Sequence, residues 1–193
     1  NLTPKQNYLT MLRGEIPEYI PSMYEERIGR FTEDLLTPTY APNGPIVTSL
    51  GVTYVGSPDL NNGAMPKPGV VILDDITKWR DVIKAPDLSD FAWGSYYREK
   101  IKDIDRENKY ISVGGGDYFL TLVSFMGFEN ALIALYEEPE EVKALLDYVS
   151  EFYLLVLKQQ LRYVKPDVMS LMDDDAALRA PFFSVAMYRE FFK

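Results

Sequence analysis

The stretch KPDVMSLMDDD, residues 165–175, decides the predicted fold because an apolar strand runs directly into three carboxylates. A long amphipathic helix is predicted just before it, over about residues 140–164, from apolar residues that recur every three and four positions. Another apolar run, YISV at 110–113, lies upstream of that helix. A strand, a long helix and a strand form a βαβ unit, so we expect the two strands to lie parallel.

Polar residues follow the second of these strands, at the edge where parallel α/β proteins bind ligands. Asp173, Asp174 and Asp175 are adjacent carboxylates that repel one another, which favours a functional role over a passive one. Asp173 and Asp174 are therefore the candidate catalytic residues, for proton transfer or for orienting a cationic or hydroxylated ligand. The alternative is that the acidic trio caps the helix that comes next.

Glycines follow the first strand, in the segment Gly114-Gly115-Gly116-Asp117. Gly115 and Gly116 allow a ligand to approach the backbone closely, and Asp117 adds a carboxylate, so these three residues are candidates for substrate binding. The alternative is a tight turn with no ligand. The segment does not satisfy the Gly-x-Gly-x-x-Gly fingerprint of dinucleotide-binding proteins.

Glu26 and Arg30 are two further candidates for substrate binding, after a strand predicted near residues 20–24 and within a helix predicted over 25–36. An arginine side chain can hold a substrate carboxylate through two hydrogen bonds. The alternative is an ion pair between Glu26 and Arg30 at the i,i+4 spacing of a helix surface.

The composition narrows the chemistry of the chain. Its 193 residues contain no Cys and no His, so disulfides, thiolate or imidazole metal sites and histidine catalysis are excluded within it, and we predict no metal ligands. A net charge of −9 disfavours nucleic acid as a partner. No apolar run reaches the length of a membrane span and no signal peptide is apparent, so we expect a cytoplasmic protein with no membrane partner.

Shorter signals fill the rest of the chain. A capping box at Thr3-Pro4-Lys5-Gln6 predicts the start of the first helix. The Pro- and Gly-rich residues 37–70 are predicted as a long loop with a hairpin, followed by a strand over Val70–Leu73. Helices are predicted over residues 75–83 and 90–108.

Several blocks, in order along nearly the whole chain, resemble the uroporphyrinogen decarboxylase superfamily, which also contains the cobalamin-dependent methyltransferases. The N-terminal block is LTPKQN at 2–7 with RGEIP at 13–17. The later blocks are DITKW at 75–79 with KAPDL at 84–88, GFENAL at 127–132 with PEEV at 139–142, and the segment 167–192.

The resemblance implies a (β/α)8 TIM barrel with its site at the C-terminal mouth. Such a barrel needs about 250 residues and eight strands. We therefore expect residues 1–193 to form a single domain of about four strands with helices, the N-terminal half of a longer barrel.

The function implied by the resemblance is corrinoid-dependent methyl transfer on a small-molecule substrate. No cofactor is expected within this chain, whereas zinc, and a corrinoid held by a partner protein, are expected to serve the full-length enzyme. One alternative is decarboxylation of a polycarboxylate. Another is a non-catalytic half-barrel that acts by self-association, since open strand edges favour pairing with a second copy and a homo-oligomer is expected in any case.

Overall fold

The computed structural model describes residues 1–22, 27–29, 35–38 and 40–193. The chain divides into two compact units. Unit 1 contains Asn1–Phe31, Ser89–Gly115 and Leu155–Leu171, and unit 2 contains Thr32–Leu88, Gly116–Leu154 and Met172–Lys193.

Seven helices and six strands lie within the described residues. The helices are α1 (Pro4–Leu12), α2 (Trp79–Val82), α3 (Trp93–Ile101), α4 (Phe119–Met126), α5 (Phe128–Glu137), α6 (Pro139–Tyr163) and α7 (Val185–Phe191). The strands are β1 (Arg27–Ile28), β2 (Ile46–Val47), β3 (Thr53–Ser57), β4 (Gly63–Pro66), β5 (Tyr110–Gly114) and β6 (Val168–Ser170). Two short 3-10 turns cover Pro58–Leu60 and Ile76–Lys78.

Unit 1 is built on a parallel sheet of three strands in the order β1-β5-β6. Its central strand β5 is buried through Val113, because both of its neighbours cover its backbone. The ring of Tyr8 from α1 stacks on that of Tyr110, with 4.0 Å between their centroids. Helix α1 begins at the predicted capping box, in which Thr3 and Gln6 exchange side-chain and backbone hydrogen bonds.

Unit 2 contains an antiparallel sheet in the order β2-β3-β4, formed by residues that the sequence analysis assigned to a long loop with a hairpin. Tyr54 of β3 pairs with Ile46 on one side and with Pro66 on the other. The helices α4 and α5 and the first part of α6, through Leu154, also belong to this unit. Their buried apolar side chains include Leu122, Phe125 and Leu145.

The prediction of a TIM half-barrel of four βα units is wrong. Strand β1 pairs directly with β5, in the register Arg27 to Tyr110, so no strand from the intervening chain lies between them. The predicted strand Val70–Leu73 is absent, because Ile72 and Leu73 donate their backbone N–H groups to the Phe125 carbonyl at the end of α4 instead of to a neighbouring strand. The fold is mixed α/β, with one parallel and one antiparallel sheet.

Two smaller predictions also differ. Arg27 and Ile28, within the helix predicted over 25–36, lie in strand β1, and the helix predicted over 90–108 is the shorter α3. Among the described residues no single helix is long and apolar enough to cross a membrane. Helices α4 and α5 reach that criterion only when counted together, and they are bent by 110° at Gly127.

Candidate functional site

The predicted site residues fall in different parts of the molecule. Asp117, Gly116, Asp173 and Asp174 belong to unit 2, and Gly115 belongs to unit 1. The structure brings Asp117 and Asp173 to the start of α4. The predictions for Glu26 and Arg30 lie outside the described residues.

Asp173 caps helix α4 from a distant part of the chain. Its Oδ2 accepts the backbone N–H groups of Tyr118 at 2.7 Å and Phe119 at 2.6 Å, and its Oδ1 accepts that of Leu120 at 3.1 Å. These donors have no partner within the helix, and the negative charge lies at the positive end of the helix dipole. The carboxylate occupies the place where an anionic ligand would bind to the start of this helix.

The acidic trio was alternatively predicted to cap the helix that follows it. Its member Asp173 does cap a helix, but that helix is α4. The helix that follows the trio, α7, begins at Ser184, whose side-chain oxygen accepts the backbone N–H of Met187. Asp173 was predicted to be catalytic, and its geometry is that of a group that positions the backbone of α4.

The two other carboxylates of the trio have different surroundings. Asp174 is exposed to solvent, and its backbone N–H is donated to Asp173 Oδ1. Asp175 is partly buried, and its Oδ1 atom has no hydrogen-bond partner among the described residues. Burial, followed by the charges of Asp173 and Asp174, raises the pKa of the Asp175 carboxyl.

Asp117 precedes α4 by two residues and contacts hydroxyl groups. Its Oδ1 accepts the Thr121 hydroxyl at 2.9 Å and the Thr37 hydroxyl at 3.3 Å. The Thr121 hydroxyl also lies 2.6 Å from the Asp117 carbonyl oxygen and 2.6 Å from the Tyr153 hydroxyl. Since a hydroxyl has one hydrogen, Thr121 donates to one acceptor at a time, and a protonated Asp117 can donate in the opposite direction.

The pKa of Asp117 is raised from its ordinary value of 3.8 to about 6. Burial is the largest cause, and the charges of Asp173 and Asp174 add to it, whereas the hydroxyls of Thr121 and Thr37 act against it. Among the described residues, no cation is one of these influences. Asp117 is therefore a carboxyl that gains and loses its proton close to neutral pH.

The two glycines predicted to approach a ligand contact side chains of this chain instead. A Cβ at Gly116 would lie 2.5 Å from ring atoms of Tyr153, and the backbone at Gly116 has φ +90, which favours glycine. A Cβ at Gly115 would lie 2.6 Å from a methyl carbon of Leu171. The absent side chain at Gly116 leaves room for the Tyr153 ring, whose hydroxyl lies 2.6 Å from that of Thr121.

A pocket in unit 2 lies beside the partners of Asp117, and we call it the hydroxyl pocket. Six of its lining residues carry hydroxyls: Thr37, Thr48, Tyr54, Thr121, Ser124 and Tyr153. The remaining walls are apolar, formed by Leu35, Leu36, Leu50, Val52 and Phe125. Its empty volume of about 250 Å³ includes the part open to solvent, and the space enclosed by its walls has room for about one water molecule.

The tyrosines of the pocket remain neutral over the physiological pH range. Burial, followed by the charge of Asp117, raises the pKa of Tyr54 to about 12 and also raises that of Tyr153. Asp117 is thus the group near the pocket whose charge changes close to neutral pH.

The sequence analysis did not identify the hydroxyl partners of Asp117. One signal was present, because Thr121 and Ser124 are the two polar residues in the otherwise apolar sequence FLTLVSFM of α4, three positions apart. Both are buried, and Ser124 donates its hydroxyl to the Thr121 carbonyl. Thr37 and Tyr54 carried no comparable signal, since their segment was predicted as a loop.

Metal binding was tested on the donor set. Within the part of the chain that the structure describes, no three His, Cys, Asp or Glu side chains are grouped so that they could hold a metal ion. The described residues therefore offer no site for the zinc ion implied by the resemblance, and zinc in the full-length protein stays a prediction.

Comparisons with known proteins give no relative: no protein-family model matches this chain, and neither a curated protein nor a solved structure matches it. The resemblance to the uroporphyrinogen decarboxylase superfamily therefore stays a prediction.

Proposed function

We propose that unit 2 carries the proton-transfer site of an enzyme, with Asp117 as the acid–base group beside the hydroxyl pocket. The observation that carries this proposal is the pair of hydroxyl contacts to Asp117 Oδ1, from Thr121 and Thr37, both of which also line the pocket. These shared hydroxyls connect the carboxyl to the pocket through one hydrogen bond each, which is the reach that proton transfer requires.

The charge surroundings of Asp117 support the same role. A general acid or base works best when its pKa is near the operating pH, and burial together with two neighbouring carboxylates raises the pKa of Asp117 toward that range. Structural carboxylates are normally held by cations or by backbone N–H groups, as Asp173 is. Asp117 has hydroxyl partners, which can both donate and accept a proton.

Methyl transfer, the reaction implied by the resemblance, is compatible with such a site. When a methyl group leaves an oxygen or nitrogen atom, that atom keeps the electron pair of the broken bond and becomes more basic. A carboxyl that exchanges a proton near neutral pH assists the departure of such a group. The corrinoid would be held by a partner protein and accept the methyl group there, and no residue of this chain is assigned to bind it.

Decarboxylation of a polycarboxylate is less well supported. None of the described residues that line the hydroxyl pocket is Lys or Arg, and the charges of Asp173 and Asp174 act on Asp117 nearby. A multiply charged anion would meet like charges there. Self-association of a non-catalytic chain stays a separate prediction, which the oligomeric state in solution tests.

The test combines a titration with a turnover assay on the 193-residue chain. The chain is labelled with ¹³C at aspartate side chains, and the Asp117 signal is assigned by its loss in Asp117→Asn. We expect this carboxyl to titrate near pH 6. Turnover is then followed by ¹H NMR on a panel of small methylated alcohols, thiols and amines, with a reduced free corrinoid added as the methyl acceptor and with wild type compared with Asp117→Asn.

The residue Asp174 supplies the matched control, since Asp174→Asn removes one negative charge of the same size from a side chain that is exposed to solvent. We expect Asp117→Asn to lose turnover and Asp174→Asn to retain it. An Asp117 carboxyl that titrates near 3.8, or turnover that survives in Asp117→Asn, would rule out the proposed role.

A further inference from the structure

We propose that Tyr153 is a positioning residue for Asp117, because its hydroxyl directs the hydroxyl hydrogen of Thr121 toward the carboxyl. Tyr153 acts through Thr121, so it neither gives nor takes the proton that Asp117 transfers. This inference rests on the proposed function, since it takes Asp117 as the acid–base group. It adds the residue that controls how the hydroxyl beside this group is oriented.

Three oxygen atoms surround the hydroxyl oxygen of Thr121 at short distances. The carbonyl oxygen of Asp117 and the hydroxyl oxygen of Tyr153 each lie 2.6 Å away, and Oδ1 of Asp117 lies 2.9 Å away. Carbonyl and carboxylate oxygens only accept hydrogen bonds. When Asp117 is ionised, Tyr153 is therefore the one of these three neighbours that can donate.

The number of hydrogens then determines the direction of the chain. If Thr121 donated to Tyr153, both Asp117 oxygens would lie beside the Thr121 oxygen with no hydrogen between them, which is repulsive. If Tyr153 donates to Thr121, the Thr121 hydrogen is available for Asp117. The hydrogens of an ionised site therefore point from Tyr153 to Thr121 and from Thr121 to Asp117.

The Asp117 carbonyl competes with the carboxylate for the Thr121 hydrogen. A threonine in a helix can donate to the carbonyl four residues earlier, and here that acceptor belongs to Asp117 itself. The ionised carboxylate is the stronger acceptor, because it is charged. Donation from Tyr153 polarises the Thr121 hydroxyl and strengthens its bond to the carboxylate, so it favours the ionised form of Asp117.

The fold holds the Tyr153 hydroxyl in this place. The residue is 2% exposed, and the ring of Tyr118 packs against its ring edge to face, with 5.7 Å between the centroids. Gly116 leaves room for the ring, since a Cβ there would lie 2.5 Å from ring atoms. Burial, followed by the charge of Asp117, raises the pKa of Tyr153, so its hydroxyl keeps its hydrogen at physiological pH.

The other groups around Asp117 are unchanged in Tyr153→Phe. Among the described residues, those that interact with Asp117 are Asp173, Asp174, Thr37, Thr121, Tyr54 and Tyr153. Phenylalanine keeps the ring and its burial, so a changed pKa of Asp117 in this variant reports the loss of the hydroxyl. Thr37 also forms a hydrogen bond with Tyr153, and it offers a second route to the carboxyl.

The experiment measures the pKa of Asp117 by ¹³C titration in variants of the 193-residue chain. Tyr153→Phe should raise this pKa by about 0.5, because Thr121 becomes a weaker donor to the carboxylate. Thr121→Val removes the donor and should raise the pKa by about 1, whereas Thr121→Ser keeps the hydroxyl and should leave it near the wild-type value.

Tyr118→Phe is the matched control. It also removes a tyrosine hydroxyl from unit 2, but that hydroxyl lies 3.1 Å from the hydroxyl of Ser150. The pKa of Asp117 should stay at the wild-type value in this variant. An equal rise in Tyr118→Phe and Tyr153→Phe would show that loss of any nearby hydroxyl has this effect, and the positioning role of Tyr153 would be wrong.

The double variant Tyr153→Phe with Thr121→Val tests the route. If Tyr153 acts through Thr121, its replacement has no further effect on the pKa of Asp117 once the Thr121 hydroxyl is gone. A further rise of about 0.5 in the double variant would mean that Tyr153 acts by another route, such as Thr37, and would overturn the inference.

A measurement that needs no replacement of Tyr153 covers the case in which Tyr153→Phe does not fold. Tyrosines are labelled with ¹³C at the ring carbon that carries the hydroxyl, and the Tyr153 signal is followed through the titration of Asp117. We expect this signal to shift with the same midpoint as the carboxyl, and most of the shift to disappear in Thr121→Val. A Tyr153 signal that ignores the titration, or responds as strongly without the Thr121 hydroxyl, contradicts the inference.

The outcomes distinguish this inference from the proposed function. If wild-type Asp117 titrates near pH 6 and Tyr153→Phe leaves that value unchanged, the positioning role of Tyr153 is wrong and the proton-transfer proposal stands. If wild-type Asp117 titrates near 3.8, both are wrong.

Discussion

Two aspartates, Asp167 in unit 1 and Asp117 in unit 2, contrast in how the fold surrounds a carboxylate. The Oδ1 atom of Asp167 lies 2.7 Å from the ammonium group of Lys5, and its Oδ2 accepts the backbone N–H of Ile111 at 2.9 Å. In the part of the chain that the structure describes, Asp117 has no such cation; its partners there are the hydroxyls of Thr37 and Thr121, with two carboxylates as its charged neighbours.

Asp167 therefore has the surroundings of a structural carboxylate, whereas Asp117 has those of a carboxyl that can exchange a proton. Asp167 joins the N-terminal helix to the central strand of the parallel sheet, and each of its oxygens has a strong donor. Asp117 is partly buried, and its burial together with the charges of Asp173 and Asp174 favours its protonated form. Burying a carboxyl without a neighbouring cation costs free energy, and carboxyls with raised pKa values are more frequent at active sites than elsewhere.

The largest effect on stability is expected from Gly116→Ala, which changes the surroundings of Asp117. The new methyl group would overlap the Tyr153 ring and would require a positive φ, so unfolding should become easier by about 3 kcal/mol. Gly69→Ala is the matched control, because Gly69 also has a positive φ, +74, but no atom within 4 Å of the added methyl.

Urea unfolding of both variants measures the two losses. The control should lose about 1 kcal/mol, the cost of the backbone conformation alone. Equal losses in the two variants would mean that the contact between Gly116 and Tyr153 does not hold the surroundings of Asp117 in place.

A second test replaces Asp117 and Asp167 by asparagine, one at a time, and asks whether each replacement raises or lowers the free energy of unfolding at pH 8. The raised pKa of Asp117 means that its protonated form stabilises the fold below about pH 4, and that this contribution is lost as the pH rises through about 6. Asparagine carries no charge, so Asp117→Asn should be more stable than wild type at pH 8, by about 2 kcal/mol, and close to wild type at pH 4.

Asp167→Asn should change stability in the opposite direction at pH 8, with a loss of about 1 kcal/mol, because it removes the charge that pairs with Lys5. Chemical denaturation at both pH values measures each variant against wild type. Two aspartate replacements that destabilise equally at pH 8 would remove the distinction between the two sites.

The smallest effect concerns Asp173, which both caps α4 and raises the pKa of Asp117. Asp173→Ala should cost about 1–2 kcal/mol because three backbone N–H groups lose their acceptor. Asp173→Asn keeps an acceptor oxygen and should cost less. Both replacements remove a negative charge, so the pKa of Asp117 should fall in each.

Thermal unfolding measures the loss of the α4 cap, and the ¹³C titration measures the fall in the pKa of Asp117. Asp174→Asn serves again as the charge control, with a smaller fall in the pKa of Asp117, since Asp174 is the weaker influence, and no loss of the cap. An unchanged pKa of Asp117 in Asp173→Asn would show that the two carboxylates do not interact.

Local and periodic signals in the sequence predicted part of the fold correctly. The capping box at Thr3, the buried strand β5 and the long helix α6 lie where they were expected, and β5 and β6 are parallel. These elements depend on short-range chemistry or on a long apolar repeat, which one sequence displays clearly.

The barrel prediction failed where pairing over long distances decides the structure. Residues 46–66 form an antiparallel sheet of three strands, although their Pro and Gly content is typical of a loop. Strand Arg27–Ile28 is only two residues long, too short for a periodic signal. Which strand pairs with β5 depends on tertiary packing, and local propensity does not contain this information.

The sequence predicted which residues belong to the candidate site, but it did not predict which groups those residues contact. Asp117 and Asp173 were both identified from their position after a strand, but their roles depend on which donors reach them. Thr37 lies 80 residues from Asp117, and Tyr153 lies 32 residues from Thr121. Separations of this length leave no trace in the local sequence pattern.

The cap on α4 has a consequence for the order of folding. Its donors at Tyr118 and Phe119 precede Asp173 by 55 and 54 residues. During synthesis, the first turn of α4 is therefore made long before its acceptor emerges, and closing so long a loop is slow. The cap on α4 therefore forms late, after the residues that follow β6 have left the ribosome. Helix α1 carries its own capping box and needs no distant partner to begin.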